Sequence, residues 1–388
     1  MELFYLRADS ELRMLSFNKP YLTGKELDYI RDAVDRRKLS GNGLYTRKCQ
    51  DFFTARYGFK KVLLTQSCTD ALEMAALLLD VGPGDEVILP SYTFVSTANA
   101  FALRGATLVF ADSEKDTPNI DIGHVRQLIT TKTKAVVVVH YAGVACDMDL
   151  LLTLAEQHHF FIVEDAAQAI DSYYKGRPLG SIGHLACFSF HETKNIISGE
   201  GGMLVINDDR FTIRSEVLWE KGTNRSAFLR GEVDKYSWMD IGSSFLPSEM
   251  TAAFLWAQLE QMDNIQMKRM ECWNMYHKEL SSLASQGHLA LPVIMPYATN
   301  NAHMFYIVCR SGDERNALIA HLKLQEIQAI FHYIPLHNSP YFIKKYSGRP
   351  LLQAQRFSEC ILRLPFFTEL TEPESNLVIN SINQFYNS

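Results

Sequence analysis

Between residues 60 and 210 the chain alternates short apolar runs with stretches of helical periodicity. The runs are Val62 to Thr65, Glu86 to Leu89, Thr107 to Ala111, Ala135 to Val139, Phe160 to Val163, Cys187 to Phe190 and Met203 to Ile206. Several are apolar at successive positions instead of alternate ones, which predicts strands covered on both faces and therefore a mostly parallel central sheet in an α/β fold. Ahead of them, Thr23 to Glu26 has capping-box spacing, and Leu27, Ile30 and Val34 follow at helical intervals, predicting a helix to about Arg37 that Ser40-Gly41-Asn42-Gly43 ends. The pattern changes after Asp240. Met250 to Met270 reads as one linking helix, and Met304 to Cys309 and Glu314 to Leu324 read as a strand and a helix of a smaller α+β unit. The expected organisation is a large α/β domain over residues 1–250 and a small C-terminal α+β domain over residues 251–388.

Composition narrows the function classes. The 388 residues are 47% hydrophobic and 21% charged, enough to bury a large core and a smaller one. A formal net charge of -6 gives the whole chain no attraction to nucleic acid or to an anionic membrane. No apolar run approaches the roughly 20 residues that span a bilayer. Seven cysteines are scattered singly with no C-x-x-C pair, which fits a reducing cytoplasm. The segment before Ser16 mixes charged and apolar residues and reads as a short extension. Adjacent His158 and His159 diverge on a helix, so no metal site is expected there.

In an open α/β sheet ligands sit beyond the carboxyl ends of the strands, and four such ends carry chemistry. Phe160 to Val163 runs into Glu164-Asp165-Ala166-Ala167-Gln168, a carboxylate followed by small residues. Ala186 to Phe190 leads to His191-Glu192-Thr193-Lys194-Asn195 and the turn Ser198-Gly199-Glu200-Gly201-Gly202. Leu63 to Thr65 turns through Gln66-Ser67-Cys68-Thr69 into a helix, whose start is a ready phosphate site. Glu86 to Pro90 is followed by Ser91-Tyr92-Thr93-Phe94, which sets aromatic rings at a strand end. Each has a plainer reading: a helix cap for Asp165, a solvated loop lysine, an ordinary N-cap, a ring folded into the core. The conjunction is more specific. A lysine amine for a Schiff base, a carboxylate for a pyridinium nitrogen, a helix terminus for a phosphate and a ring for stacking are together what pyridoxal 5'-phosphate requires.

Ser189-Phe190-His191-x-x-Lys194-Asn195 with Gly199-Glu200-Gly201-Gly202, preceded by Glu164 to Gln168 and by Pro90 to Phe94, resembles the DegT/DnrJ-type sugar aminotransferases, PLP enzymes of fold type I. The resemblance runs from about Phe17 to the C-terminus. It implies that Lys194 is the Schiff-base lysine and proton shuttle, Asp165 the partner of the pyridine nitrogen and Gln168 a donor to the ring's phenolic oxygen. Phe94 would stack on the ring, while Thr69, the Cys68 backbone and Ser189 would hold the phosphate. Ser244, in Gly242-Ser243-Ser244-Phe245, stands where many relatives place a phosphate-binding Asn from the second subunit of a homodimer with shared active sites. His332, Tyr333 and His337 would face a nucleotide-sugar and Lys221 and Arg225 its diphosphate. L-glutamate is the implied amino donor. The stretches Ser91 to Asn99, His140 to Cys146, Lys221 to Ser226 and Phe331 to His337 favour a dTDP-linked 4-keto sugar and a galacto product.

Three other readings compete. A keto-sugar dehydratase of the same family is expected to carry histidine where Lys194 stands, a non-catalytic regulatory protein that binds the cofactor without turnover is disfavoured by intact Lys194, Asp165 and Gln168, and a Rossmann dehydrogenase needs a G-x-G-x-x-G that is absent.

Overall fold

The computed structural model describes residues 14–387, so most of the extension read before Ser16 lies outside the described residues. A seven-stranded sheet runs in the order Lys61–Thr65, Gly202–Ile206, Leu185–Ser189, Phe161–Asp165, Thr133–Val139, Glu86–Pro90, Thr107–Ala111. Gly202–Ile206 is antiparallel to both neighbours, and the remaining pairings are parallel. The apolar runs therefore locate the strands to within two residues at either end. Their continuity has the expected cause. Val62, Leu64, Val136 and Val138 enter one core while Leu63, Ala135 and Val137 enter the other, so successive side chains of one strand feed opposite faces.

Helices Leu44–Tyr57 and Met148–His158 close the first face, and Cys68–Leu78 and Val95–Ala102 the second. A three-stranded antiparallel sheet of Leu289–Ala290, Tyr306–Cys309 and Ile361–Arg363 holds a third core with Tyr276, Leu318, Leu322 and Val378. No helix among the described residues is long and apolar enough to cross a membrane.

Two local expectations need correction. The first helix spans Glu26–Asp35, but only half of the capping box forms: the Glu26 carboxylate accepts the Thr23 and Gly24 N–H groups (2.7 and 2.9 Å), whereas the Thr23 hydroxyl takes Lys25 N–H at 3.3 Å. The single linking helix is two, Glu249–Leu259 and Met262–Glu279. Gln261 N–H bonds three residues back to Gln258 and tightens the chain. Ala252 and Leu255 thereby stay under the large sheet while Cys272, Trp273 and Tyr276 reach the smaller one. No Gly or Pro marks the break, so periodicity does not reveal it.

Candidate active site

The carboxyl ends of the strands Lys61–Thr65, Glu86–Pro90, Phe161–Asp165 and Leu185–Ser189 open on one cavity of about 680 Å³, walled among others by Cys68, Thr69, Phe94, Asp165, Gln168, Ser189, Lys194, His332 and Tyr333. Four separate strand ends thus supply one site.

Lys194 follows the Leu185–Ser189 strand on a loop closed by Phe190 N–H to Gly201 O (2.8 Å), Ser198 N–H to Phe190 O (2.7 Å) and Lys194 N–H to His191 O (2.9 Å). Its ammonium pKa lies below the usual lysine value because burial disfavours the charge; Cys68 and Asp165 pull the other way. Asp165 ends its strand buried at 5% exposure. One oxygen accepts the Thr97 hydroxyl at 2.7 Å and the other the Ala167 N–H at 3.2 Å. Burial raises its pKa, opposed by those two bonds and by Lys194. Gln168 is fixed at both ends: its Oε1 accepts Ala142 N–H at 2.6 Å and its Nε2 donates to the Tyr333 hydroxyl at 3.3 Å.

Two aromatic residues leave the Glu86–Pro90 strand in different directions. Tyr92 folds into the core at 1% exposure, whereas Phe94 stays 57% exposed on the cavity wall, 6.3 Å from the Tyr333 ring. Ser67 caps the Cys68–Leu78 helix by accepting Asp70 N–H at 3.1 Å, and the hydroxyl of Thr69 donates to Ser96 at 2.8 Å. The first N–H groups of that helix have no carbonyl within it to bond, which suits a phosphate. Gly202 permits the cup: a Cβ there would lie 2.5 Å from Cys68 N and from Ser67 C.

His332 stacks on Tyr333 with ring centres 3.9 Å apart; its Nε2 accepts Nη1–H of Arg363 and its Nδ1 lies 3.2 Å from the Tyr141 hydroxyl. Burial, then the charges of Arg363 and Lys194, hold its pKa far below the usual imidazole value. Four predicted residues lie off this wall. His337 is 4% exposed with Nδ1 2.6 Å from the Ser91 hydroxyl. Lys221 is exposed, Arg225 pairs with Glu220 at 3.3 Å, and exposed Ser244 receives the Gln66 side chain on its carbonyl. The structure adds Phe17, Thr97, His303 and Arg363 to the cavity, none of them singled out by sequence. Arg363 ends a strand of the antiparallel second sheet, to which the carboxyl-end rule for parallel α/β sheets does not apply, so no sequence signal pointed to it.

The residues present fit pyridoxal phosphate. An amine, a buried carboxylate held by donors, an exposed ring and a capped helix start share one cavity of adequate size.

Comparison with known proteins agrees. The model of the DegT/DnrJ/EryC1/StrS aminotransferase family matches residues 20–383. A GDP-perosamine synthase of Escherichia coli O157:H7 is 33% identical over 378 residues, covering 97% of this chain and 99% of its own. S. venezuelae DesV, solved with a ketimine intermediate, superposes with a TM-score of 0.87 at 30% identity, covering 97% of this chain and 99% of that one. A Streptococcus pneumoniae protein solved in a PLP form gives 0.86 at 25% identity over 96% and 98%. With a lysine, a buried carboxylate and a helix terminus gathered around a single cavity, the chain belongs to the DegT/DnrJ/EryC1/StrS family and is a PLP-dependent sugar aminotransferase acting on a nucleotide-linked keto-sugar.

Proposed function

We propose that this enzyme moves the amino group of L-glutamate to carbon 4 of a dTDP-linked 4-keto-6-deoxyglucose, giving the 4-amino-4,6-dideoxygalactose product. The observation that carries the amination itself is the shared cavity of Lys194 and Asp165. Bound pyridoxal phosphate supplies a reactive aldehyde and a ring that accepts electrons. Lys194 holds that aldehyde and, once released, its amine carries the proton to and from the substrate carbon, a task that a lowered pKa favours. Asp165, oriented by Thr97 and Ala167, keeps the ring nitrogen protonated. Gln168 donates toward the ring's phenolic oxygen, and Phe94 covers one ring face. Thr69, Ser189 and the Cys68 N–H hold the phosphate. His332 and Tyr333 meet the sugar.

Homodimerisation is part of this reading. Phe228, Leu229, Tyr236, Trp238, Met239 and Ile241 are exposed along one segment, Trp238 at 81%. Lys221, Arg225, Ser244 and that segment belong together, so a second copy covering it would present these groups to its neighbour's cavity.

The likeness to a GDP-perosamine synthase favours a second reading, a GDP-linked keto-sugar. Turnover of L-glutamate with paired dTDP- and GDP-linked 4-keto-6-deoxyhexoses, followed by mass and NMR analysis of the aminated sugar, separates the two. Amination of the dTDP sugar with an axial amine is expected. Exclusive use of the GDP sugar, or an equatorial amine, overturns the first reading.

A further inference from the structure

We propose that His303 is a specificity residue for the sugar, its Nε2 accepting a hydrogen bond from the hydroxyl on the carbon next to the ketone. The inference rests on the keto-sugar reading and names one contact within it.

His303 precedes the Tyr306–Cys309 strand and is held at three points. Its backbone N–H donates to Asn301 Oδ1 at 3.1 Å, and its carbonyl accepts Nη2–H of Arg269 at 2.7 Å, an arginine whose Nε donates to the Ala302 carbonyl at 3.0 Å. Its ring nitrogen Nδ1 lies 2.8 Å from Asn195 Oδ1. The Asn195 amide has one possible orientation, because its Nδ2 lies 2.8 Å from the Asn301 carbonyl, and a backbone carbonyl only accepts. The same Nδ2 donates to Gln266 Oε1 at 2.9 Å. Asn195 therefore turns its oxygen to His303, and the proton between them sits on Nδ1.

With the proton on Nδ1, a neutral ring leaves Nε2 as a bare lone pair. Burial first, then the charges of Lys194, Arg269 and Arg363, hold the pKa well below the usual imidazole value. The ring accepts a hydrogen bond without taking the proton, so it is no base. His303 is 4% exposed on the wall of the cavity that also contains Lys194 and Asp165, yet its Nε2 has no hydrogen-bond partner among the described residues. On the same wall His332 uses both nitrogens, Nε2 with Arg363 and Nδ1 with the Tyr141 hydroxyl. A buried acceptor left without a donor is costly, and a ligand that brings the donor removes that cost.

The two substrates differ in what they offer this lone pair. L-glutamate brings two carboxylates, which only accept and which a lone pair repels, and one amine, which is committed to the cofactor. A keto-sugar brings hydroxyls, and each of them donates. Two other acceptors of the cavity are already engaged, Gln168 Oε1 by Ala142 N–H and Asp165 by Thr97, Ala167 and the cofactor's ring nitrogen. The reacting carbon must come to Lys194, whose charge acts on His303, so the hydroxyl beside the ketone is the one brought within reach. In a 4-keto-6-deoxyhexose that is the hydroxyl of carbon 3, since carbon 5 carries only the methyl group and the ring oxygen.

The test uses the holoenzyme as wild type, His303→Asn and His303→Gln, checked for folding by circular dichroism and for cofactor by absorbance. Asparagine keeps an N–H for Asn195 and deletes the acceptor at the Nε2 position, whereas glutamine extends an amide oxygen towards it. The probes are dTDP-linked 6-deoxyglucose and GDP-linked 6-deoxymannose, each with its 3-deoxy analogue, titrated by calorimetry. They have no ketone and cannot be aminated. The wild type should bind the intact sugar roughly 10-fold more tightly than its 3-deoxy analogue; that preference should vanish in His303→Asn and return in part in His303→Gln. In single-turnover measurements of His303→Asn the nucleotide-sugar half-reaction should lose more than the glutamate half-reaction. A wild type that binds no probe or binds both members of a pair equally, a preference that survives in folded His303→Asn, or a loss no greater in the sugar half than in the glutamate half overturns the assignment. A wild type that shows the preference and loses it in His303→Asn, yet aminates no keto-sugar, would instead refute the transamination reading and leave the contact standing.

Discussion

Replacing Glu164 by glutamine removes one charge and turns one of two acceptor oxygens into a donor, at a place where every neighbour is also a donor. Glu164 is fully buried directly behind Asp165. One oxygen accepts the N–H groups of Ile182 and Gly183 (2.8 and 2.5 Å); the other accepts Gly180 N–H at 2.8 Å and His140 Nε2 at 3.0 Å. Either orientation of the amide leaves two donors facing its NH₂ group. His140 has no neutral way out, because its Nδ1 already accepts Cys146 N–H at 3.2 Å. Two stranded buried donors at about 1 to 3 kcal/mol each make a loss of about 2 to 6 kcal/mol. Denaturant unfolding of wild type and Glu164→Gln measures it, and a loss under about 1 kcal/mol would refute the count of donors. The pH dependence checks the sign. Burial pushes the Glu164 carboxyl up, but the His140 bond and the Gly183 and Gly180 N–H groups outweigh it, so the folded pKa lies below the ordinary value of 4.5. Its stabilisation is complete above that value and is lost as pH falls through the lowered folded pKa, so the gap between the two proteins should narrow on the acid side.

Further expectations concern the cofactor pocket. Lys194→Ala should fold, lose covalently held cofactor after dialysis and show no turnover; full activity would remove the lysine from its assigned role. Asp165→Asn should keep the fold and slow both half-reactions by orders of magnitude, because the ring nitrogen would lose its proton, and a normal single-turnover rate would contradict this. Gly202→Ala would drive a methyl group into the backbone of Ser67 and Cys68, 2.5 Å away. Its affinity for pyridoxal phosphate, read by titrating the apoprotein, should fall roughly 10-fold or more with secondary structure intact, and wild-type affinity would show that the phosphate is held elsewhere.

Much of the site was legible because its chemistry sits at strand ends. Asp165 stands out since it ends an apolar run where a parallel sheet exposes its carboxyl edge, and Lys194 because it follows such an edge on the loop beyond Ser189. Ser67, Cys68 and Thr69 stand out because a strand turns through them into a helix. Phe94 and Tyr92 were not separable, as both are aromatic and two residues apart; only packing buries one and leaves the other on the cavity wall.

The sequence by itself determined the strands and the α/β class and singled out candidate cofactor groups at four strand ends, because apolar continuity, capping and residue chemistry are local properties that each segment carries alone. Tertiary structure decided the rest. The break between Leu259 and Met262 follows from two cores pulling one amphipathic stretch in different directions. That Arg363 is a buried cation facing Lys194's cavity, while Arg269 is a satisfied structural one, depends on which carbonyls and carboxylates distant segments bring near, and nothing in either residue's neighbours along the chain encodes that.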